Sequence, residues 1–123
     1  MSDPDLDTAQ HFQSAAEAAV RSGDFERVVA FLAPDVECVT PQHSVQGVEA
    51  VTEELRRARP TERFDVEFET GDWRLLGNGR YSCELRALYR SKVSDGLSYS
   101  RDRSFEVTIR GGRVSRYEMR LAG

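Results

Sequence analysis

Four long segments in the C-terminal half of the chain alternate apolar and polar residues, and this alternation constrains the fold more than any other feature of the sequence. The apolar positions are Phe64, Val66 and Phe68; Tyr81, Cys83, Leu85, Ala87 and Tyr89; Phe105, Val107 and Ile109; and Tyr117, Met119 and Leu121. A period of two with one apolar face predicts strands in a sheet that is covered on one side only. Turns at Gly77-Asn78-Gly79, Ser94-Asp95-Gly96 and Gly111-Gly112 predict that these strands form an antiparallel meander. A bulge or bend at Thr70-Gly71-Asp72 is expected before the first strand resumes near Trp73.

Apolar residues recur every three or four positions in three segments of the N-terminal half, which predicts three amphipathic helices. The predicted helices run from Thr8 to Arg21 with Asp7 or Thr8 as the cap, from Asp24 to the break at Pro34, and from Gly47 to Pro60. Val36, Cys38 and Thr40 alternate on one face of a short strand, and a polar loop follows it. Helices on one side of a curved antiparallel sheet give an α+β fold with a conical cavity for a small ligand.

The length and charge of the chain exclude several classes of protein. Its 123 residues fit a single domain, 1–123, whose first six residues are expected to be flexible. The net charge of -4 argues against binding to nucleic acid, which needs a concentration of Lys and Arg on one surface. The acidic N-terminus is followed by no apolar leader, and no apolar run reaches membrane-spanning length, so we expect a cytoplasmic protein without membrane contact.

Neither the cysteines nor the histidines have the spacing of a metal site. Cys38 and Cys83 lie in apolar strand segments, which favours buried free thiols over a disulfide or a reactive thiol. His11 and His43 are isolated from each other, and no glycine-rich phosphate loop occurs. The sequence therefore predicts no metal and no cofactor.

The order of these elements, with "SGDFERVVAFLAPDVE", "GVEAVTEEL" and "IRGGRV", resembles the nuclear transport factor 2-like superfamily in its SnoaL-like and ketosteroid-isomerase-like branches. The resemblance covers nearly the whole chain. It implies a cone-shaped curved sheet with a mixed edge, wrapped around three N-terminal helices. Proteins of this superfamily include isomerases, cyclases, dehydratases, epoxide hydrolases and noncatalytic binding or assembly domains, so the fold alone does not decide the function.

The catalytic residues that the resemblance implies for a ketosteroid isomerase are absent. The general-base aspartate before the loop proline falls on Thr40, whose hydroxyl is not a base near neutral pH. The oxyanion tyrosine of the first helix falls on Ala16, and the protonated carboxylic acid of the penultimate strand falls on Phe105. We therefore expect no ketosteroid isomerisation.

The acidic catalytic residues of SnoaL-like cyclases and limonene-type epoxide hydrolases also have no cavity-facing counterpart predicted in this sequence. Glu118 alternates with Tyr117 and Met119 on the last strand and is expected to point outward. In "SRDRSF", Asp102 falls on the face opposite Arg101 and Arg103. A hydrolase needs a carboxylate that faces the cavity to activate water, so this arrangement disfavours that mechanism.

Arg101 and Arg103 interrupt the apolar face of their strand, where a guanidinium is costly to desolvate without a partner. Glu54 on the third helix is the predicted partner. Alternatively, the arginines pair with an anionic ligand, or their own side chains extend to solvent at the edge of the sheet. His43 lies in the loop over the expected cavity mouth and is either a general base or a solvated polar residue. The candidate catalytic residues are thus His43, Glu54 and Arg103. The residues predicted to line the cavity are Ala16, Val20, Cys38, Thr40, Leu55, Trp73, Tyr99, Arg101, Phe105, Tyr117 and Met119.

Acids and arginines alternate on the opposite face of the sheet. They are Glu67, Glu69, Glu84, Arg86, Arg90, Arg110, Arg116, Glu118 and Arg120. This outer face is either simply solvated or forms a homodimer, since opposed charges could set the register of a twofold contact and related folds often pair sheet to sheet.

The leading functional prediction is a homodimeric SnoaL-like domain that binds a small apolar or weakly anionic molecule. An isomerase, cyclase or hydrolase that uses acid/base chemistry is one alternative. A noncatalytic domain that binds a partner protein through its charged sheet face is the other.

Overall fold

A computed structural model describes residues 3–93 and 98–121. Within these ranges the helices are α1 (Pro4–Ser22), α2 (Glu26–Val29) and α3 (Val48–Arg56). The strands are β1 (Leu32–Val39), β2 (Ser44–Gln46), β3 (Phe64–Thr70), β4 (Arg74–Gly77), β5 (Arg80–Ser91), β6 (Ser98–Arg110) and β7 (Arg113–Leu121). The predicted turn at Ser94-Asp95-Gly96 lies outside the described residues.

The strands form one curved, unclosed sheet in the order β2-β1-β7-β6-β5-β3, and β4 also pairs with β5. The pairs β3–β5, β5–β6 and β6–β7 are antiparallel, which confirms the predicted meander. β1 pairs in parallel with β7 and antiparallel with β2, so this edge of the sheet is mixed. The α+β fold predicted from the alternation and the resemblance is confirmed.

Helix α1 begins earlier than the sequence pattern predicted. The Oδ1 atom of Asp3 accepts hydrogen bonds from the backbone N–H groups of Asp5 at 3.1 Å and Leu6 at 3.2 Å, so Asp3 is the cap instead of Asp7 or Thr8. Proline is favoured at the first helical position because it lacks the N–H that this position leaves unpaired. Residues 4–6, which we expected to be flexible, are therefore helical.

Helix α2 is shorter than predicted, because the chain enters the sheet before Pro34. Leu32 opens β1 opposite Val114 of β7, and the pairing register shifts before Glu37. Val29, predicted to be on the packed face, is 38% exposed. Pairing with β7, which is distant in sequence, overrides the local helical pattern.

The predicted loop after β1 contains the short strand β2, which the sequence analysis missed. Its three residues pair antiparallel with the end of β1. All but Val45 are polar and exposed, so no apolar alternation marked a strand here. Gly47 follows with φ +97° and its N–H donates to the Val36 carbonyl at 2.8 Å, which turns the chain into α3.

The core lies between the helices and the inner face of the sheet. Phe12 of α1 is fully buried, with its ring centroid 5.3 Å from that of Tyr117 on β7 in an edge-to-face contact. Among the described residues, the other largest fully buried side chains are Val28, Val36, Val51, Val107, Val114 and Cys38. The predicted bend at residues 70–72 separates β3 from β4, and the Gly71 N–H donates to the Glu84 carbonyl at 2.8 Å.

Candidate functional site

A cavity of about 440 Å³ lies between α1, α3 and the inner face of the sheet. Its apolar walls come from Ala16, Val20, Leu55, Phe68, Leu85, Ala87, Phe105 and Met119. Its charged and amide-bearing side chains are Gln13, Glu17, Gln42, Glu54, Arg57, Arg59, Arg101 and Arg103. A volume of this size is within the range that holds a small organic ligand.

All the residues predicted to line the cavity border it except Trp73. Trp73 lies beside a second cleft, with Thr70, Gly71 and the polar side of α1 around it. The chain leaves β3 at Thr70 and β4 begins only at Arg74. The prediction for Trp73 was wrong because it assumed that the alternation of inward and outward residues continues past Thr70, and this interruption breaks that alternation.

Thr40, at the position of the ketosteroid-isomerase base, closes the loop over the cavity mouth. Its backbone N–H donates to the His43 carbonyl at 2.8 Å, and its hydroxyl donates to the same carbonyl at 3.0 Å. The His43 N–H lies 3.2 Å from the Thr40 hydroxyl oxygen. Thr40 therefore holds the loop that carries His43, and its hydroxyl is engaged in that contact.

Two of the three candidate catalytic residues are in direct contact. The Nε2 atom of His43 lies 2.9 Å from Oε2 of Glu54, and Nη1 of Arg57 lies 3.5 Å from the same oxygen. The side chain of Glu54 is 13% exposed and borders the cavity, whereas that of His43 is 41% exposed. Glu54 thus borders the cavity, and its contact with His43 links it to a more exposed side chain.

Arg103 is not the partner of Glu54, so that predicted pair was wrong. Its Nη1 atom donates instead to the Asp102 carbonyl at 3.0 Å. His43 and Arg57 occupy the Glu54 carboxylate, because the hydrogen-bonded loop brings His43 to α3 and Arg57 follows one helical turn after Glu54.

Arg101 contacts aromatic rings. Its guanidinium carbon lies 5.9 Å from the ring centroid of Tyr89 and 5.6 Å from that of Tyr99. These two rings are cross-strand neighbours and stack at 4.7 Å with an angle of 11°. Within residues 3–93 and 98–121 no carboxylate forms an ion pair with Arg101 or Arg103. Both cations line the cavity, and for Arg101 the ring faces supply part of the stabilisation that was predicted to come from a carboxylate.

A family model for the SnoaL-like domain matches residues 13–117, which span the cavity and almost all of the sheet. The chain belongs to the SnoaL-like family. A comparison with curated proteins found no match.

Solved structures show the same fold at low sequence identity. An NTF2-like protein from Anabaena variabilis ATCC 29413 is 18% identical with a TM-score of 0.80, over 99% of this chain and 92% of that one. A candidate polyketide cyclase from Xanthomonas campestris pv. campestris is 20% identical with a TM-score of 0.71, over 96% and 93%. TerC, co-crystallised with polyporic acid, is 20% identical with a TM-score of 0.72, over 98% and 92%. At these identities the likeness establishes the fold alone.

The two cysteines of this SnoaL-like domain are buried free thiols, as predicted. Burial, with the charges of Glu54 and Glu37, raises the pKa of Cys38 to about 12. Burial, with the charge of Glu17, raises the pKa of Cys83 to about 12. A thiol reacts as a nucleophile through its thiolate, so neither cysteine is suited to covalent catalysis near neutral pH.

Gln13 is a site residue that the sequence analysis missed. It lies on α1 one turn before Ala16, is 4% exposed, and lines the cavity. Its Oε1 atom is buried and has no hydrogen-bond partner among the described residues. The signal was present in the sequence, because Gln13 adjoins the apolar stripe of Phe12, Ala16 and Val20 at helical spacing.

The outer face of the SnoaL-like sheet carries the charged pairs expected from the alternation. Asp102 accepts from Arg86 at 2.9 Å, and Glu118 accepts from Arg120 at 2.9 Å. Both acids therefore lie away from the cavity, as predicted, and neither is placed to activate water inside it. Glu54 and Glu17 are the carboxylates that border the cavity in the described part of the chain.

The described residues show neither a metal centre nor a membrane-spanning helix. They contain no group of three or more His, Cys, Asp or Glu side chains that could hold a metal ion. Among their helices, none has the length and apolar character needed to cross a membrane.

Proposed function

We propose that this SnoaL-like domain binds a small, largely apolar molecule that carries a negative charge. The observation that carries the proposal is the position of Arg101 and Arg103 on the wall of an otherwise mostly apolar cavity, without a carboxylate partner in the described residues. Arg103 is partly buried, and a partly desolvated guanidinium is stabilised when an anion pairs with it.

The balance of charge around the cavity supports an anionic ligand. Four arginines line it against the two carboxylates of Glu17 and Glu54. Glu54 is already paired with His43 and Arg57, and the Arg59 Nε donates to the Val20 carbonyl at 3.1 Å. Arg101 and Arg103 are thus the cations best able to meet a bound anion.

The walls favour a planar ring system. Phe105 and Tyr117 stack with centroids 5.1 Å apart and an angle of 15°. Tyr89 and Tyr99 form a second stacked pair nearer the cavity mouth, where Tyr99 is exposed. Flat rings present apolar surface with little conformational entropy to lose, so an aromatic acid is a suitable first probe. TerC, which shares the fold, was co-crystallised with polyporic acid.

The proposal is tested by calorimetric titration with 2-naphthoate and its neutral counterpart 2-naphthamide. We expect the acid to bind more tightly, and Arg103→Gln to weaken its binding by about tenfold, since a charge-assisted hydrogen bond contributes roughly 1.5–3 kcal/mol before solvent screening. Binding of the amide should change little, because it has no charge to lose.

Arg90→Gln is the matched control. Arg90 lies on β5 and pairs with Glu67 on the outer face at 3.5 Å, so its loss removes a similar positive charge without touching the cavity. An acid that binds no better than the amide, or equal losses in the Arg90 and Arg103 variants, would reject the proposal.

The contact between His43 and Glu54 favours acid/base catalysis as a second candidate function. A carboxylate that borders an apolar cavity is placed to take a proton from a bound carbon acid. His43 would act on Glu54 by positioning its carboxylate and by exchanging a proton with solvent. Tyr99 or Arg103 would then stabilise the negative charge that develops on the substrate.

This candidate is tested by following deuterium exchange at the α-carbon of 2-tetralone by NMR. We expect the wild-type protein to accelerate exchange and Glu54→Gln to reduce that acceleration by about 100-fold, the lower range of a general-base contribution. Glu53→Gln is the control, because Glu53 is the adjacent residue of α3 and its side chain is 61% exposed. Equal exchange rates for wild type and Glu54→Gln would remove Glu54 as the base.

The homodimer, the alternative role as an assembly domain and the cytoplasmic location stay predictions. Many acids of the outer face are paired within the chain, including Glu37 with Arg116 at 3.0 Å and Glu106 with Arg80 at 2.7 Å. These pairs suit a solvated face as well as a twofold contact, since the charges that form them already have partners within the chain.

A further inference from the structure

The buried amide of Gln13 is the least explained polar group in the cavity. The side chain is 4% exposed, and its Oε1 atom has no partner within residues 3–93 and 98–121. Leaving a buried polar group unpaired is unfavourable, and such groups are few in native proteins. Gln13 borders both this cavity and the second cleft beside Trp73, and a molecule bound in the cavity can supply the missing hydrogen bond.

Tyr117 presents a second polar group to the same cavity. The residue is 4% exposed and lines the cavity. Phe12 and Phe105 hold the ring at centroid distances of 5.3 Å and 5.1 Å. Burial raises the pKa of Tyr117 well above its usual range, so its hydroxyl stays protonated and able to donate. Gln13 and Tyr117 thus offer complementary hydrogen-bonding groups from α1 and β7.

These two uncharged polar residues of the cavity are less exposed to solvent than Arg101 and Arg103. Gln13 and Tyr117 are buried, whereas Arg101 is exposed and Arg103 is partly buried. A molecule whose charge lies at Arg101 and Arg103 therefore has its uncharged part among the buried residues. Any oxygen on that part would lie between largely apolar walls and would need a hydrogen-bonding partner there.

We infer that Gln13 and Tyr117 recognise a hydroxyl or carbonyl group at the buried end of the ligand, remote from its negative charge. The inference rests on the proposed function and narrows the ligand class to aromatic acids that carry a second oxygen function. A carboxamide can accept from a hydroxyl through its oxygen or donate to a carbonyl through its NH2 group. Gln13 is then a specificity-determining residue, because it distinguishes ligands that differ by one buried oxygen.

The test compares 6-hydroxy-2-naphthoate with 2-naphthoate by calorimetric titration. We expect the hydroxyl to tighten binding to the wild-type protein about fivefold, which corresponds to one net hydrogen bond. In Gln13→Leu this gain should disappear while the affinity for 2-naphthoate is kept. Tyr117→Phe should reduce the gain as well. The control is Gln10→Leu, since Gln10 lies on the same helix but lines the second cleft instead.

A measurement without ligand separates recognition from a structural role. If the Gln13 amide is unpaired in the free protein, Gln13→Leu should raise the melting temperature by about 3 °C, because it removes a buried unsatisfied group. A lower melting temperature would show that water or protein already satisfies the amide and would overturn the inference.

The outcomes for the two proposals are distinct. If the hydroxyl gain persists in Gln13→Leu, or is absent in the wild type, the inference fails although the preference for acid over amide still supports the proposed function. If the gain depends on Gln13 but the acid and amide bind equally, the inference about Gln13 holds and the anionic ligand is rejected. If none of the naphthalene probes binds, both are overturned.

Discussion

Replacing Gly79 with alanine is expected to lower the free energy of unfolding by about 3 kcal/mol, from a left-handed backbone penalty of roughly 1–2 kcal/mol plus a steric overlap of similar size. Gly79 has φ +73°, in the region where side chains are disfavoured. A Cβ atom there would lie 2.5 Å from the Ile109 carbonyl oxygen. This oxygen belongs to the backbone of β6, and the Ile109 N–H donates to the Gly79 carbonyl at 2.8 Å, so the overlap cannot be relieved by a side-chain rotation.

The matched control is Gly112→Ala. Gly112 has φ +75°, and a Cβ atom added to it would meet nothing within 4 Å. This variant should show the conformational penalty without the overlap, about 1–2 kcal/mol. Urea denaturation measures both variants, with equal denaturant slopes as the sign that the unfolded states are comparable. If both variants lose the same stability, the close approach of Gly79 to β6 is not the cause.

The meander could be predicted because its signal is local. Tyr81, Cys83, Leu85 and Ala87 are all buried on one face of β5, and the alternation that places them can be seen in the sequence. A slip of one residue would turn this whole set to the charged outer face, which fixes the register strongly. The tight turn that contains Gly79 sets the same register from its end of the strand.

The first strand could not be delimited in this way, because its limits depend on a partner far along the chain. Leu32 belongs to β1 through its pairing with Val114, 82 positions later in the sequence. Locally, Leu32 continues the helical spacing of Phe25, Val28 and Val29, which is why the helix was predicted to reach Pro34. Periodicity reports the face that a residue buries and says nothing of which strand lies beside it.

In the candidate site, too, the features with a local sequence signal could be predicted, and those that depend on distant residues could not. The cavity walls followed from strand phase and from the resemblance, and all but Trp73 of the predicted residues border the cavity. The partner of Glu54 could not be predicted from the sequence, because His43 reaches Glu54 through a loop that is held by hydrogen bonds to Thr40. The contact of Arg101 with Tyr89 and Tyr99 depends on the register of β5 with β6. Side-chain pairs across loops and strands require tertiary geometry that no single segment encodes.

Ala16→Trp is expected to abolish binding of 2-naphthoate while leaving the protein folded. Ala16 is buried on the cavity side of α1, so an indole at this position would occupy space that the ligand needs. Loss of the burial of one aromatic ring removes roughly 2–3 kcal/mol of binding free energy, which predicts an affinity at least about 30- to 100-fold weaker. The resemblance places the tyrosine of ketosteroid isomerases at this position, so a ring on α1 is compatible with the fold.

The stability of the variant distinguishes a filled cavity from a damaged core. An indole that enters the cavity buries apolar area at about 25 cal/mol per Å², so the free energy of unfolding should stay the same or rise. Ala16→Phe should give a smaller loss of affinity, because its ring takes less of the cavity. Ala18→Trp is the control, since Ala18 lies on the same helix with an exposed side chain and should leave both binding and stability nearly unchanged. If Ala16→Trp binds 2-naphthoate as tightly as the wild type, the ligand binds outside this cavity and the arginines that line it have another role.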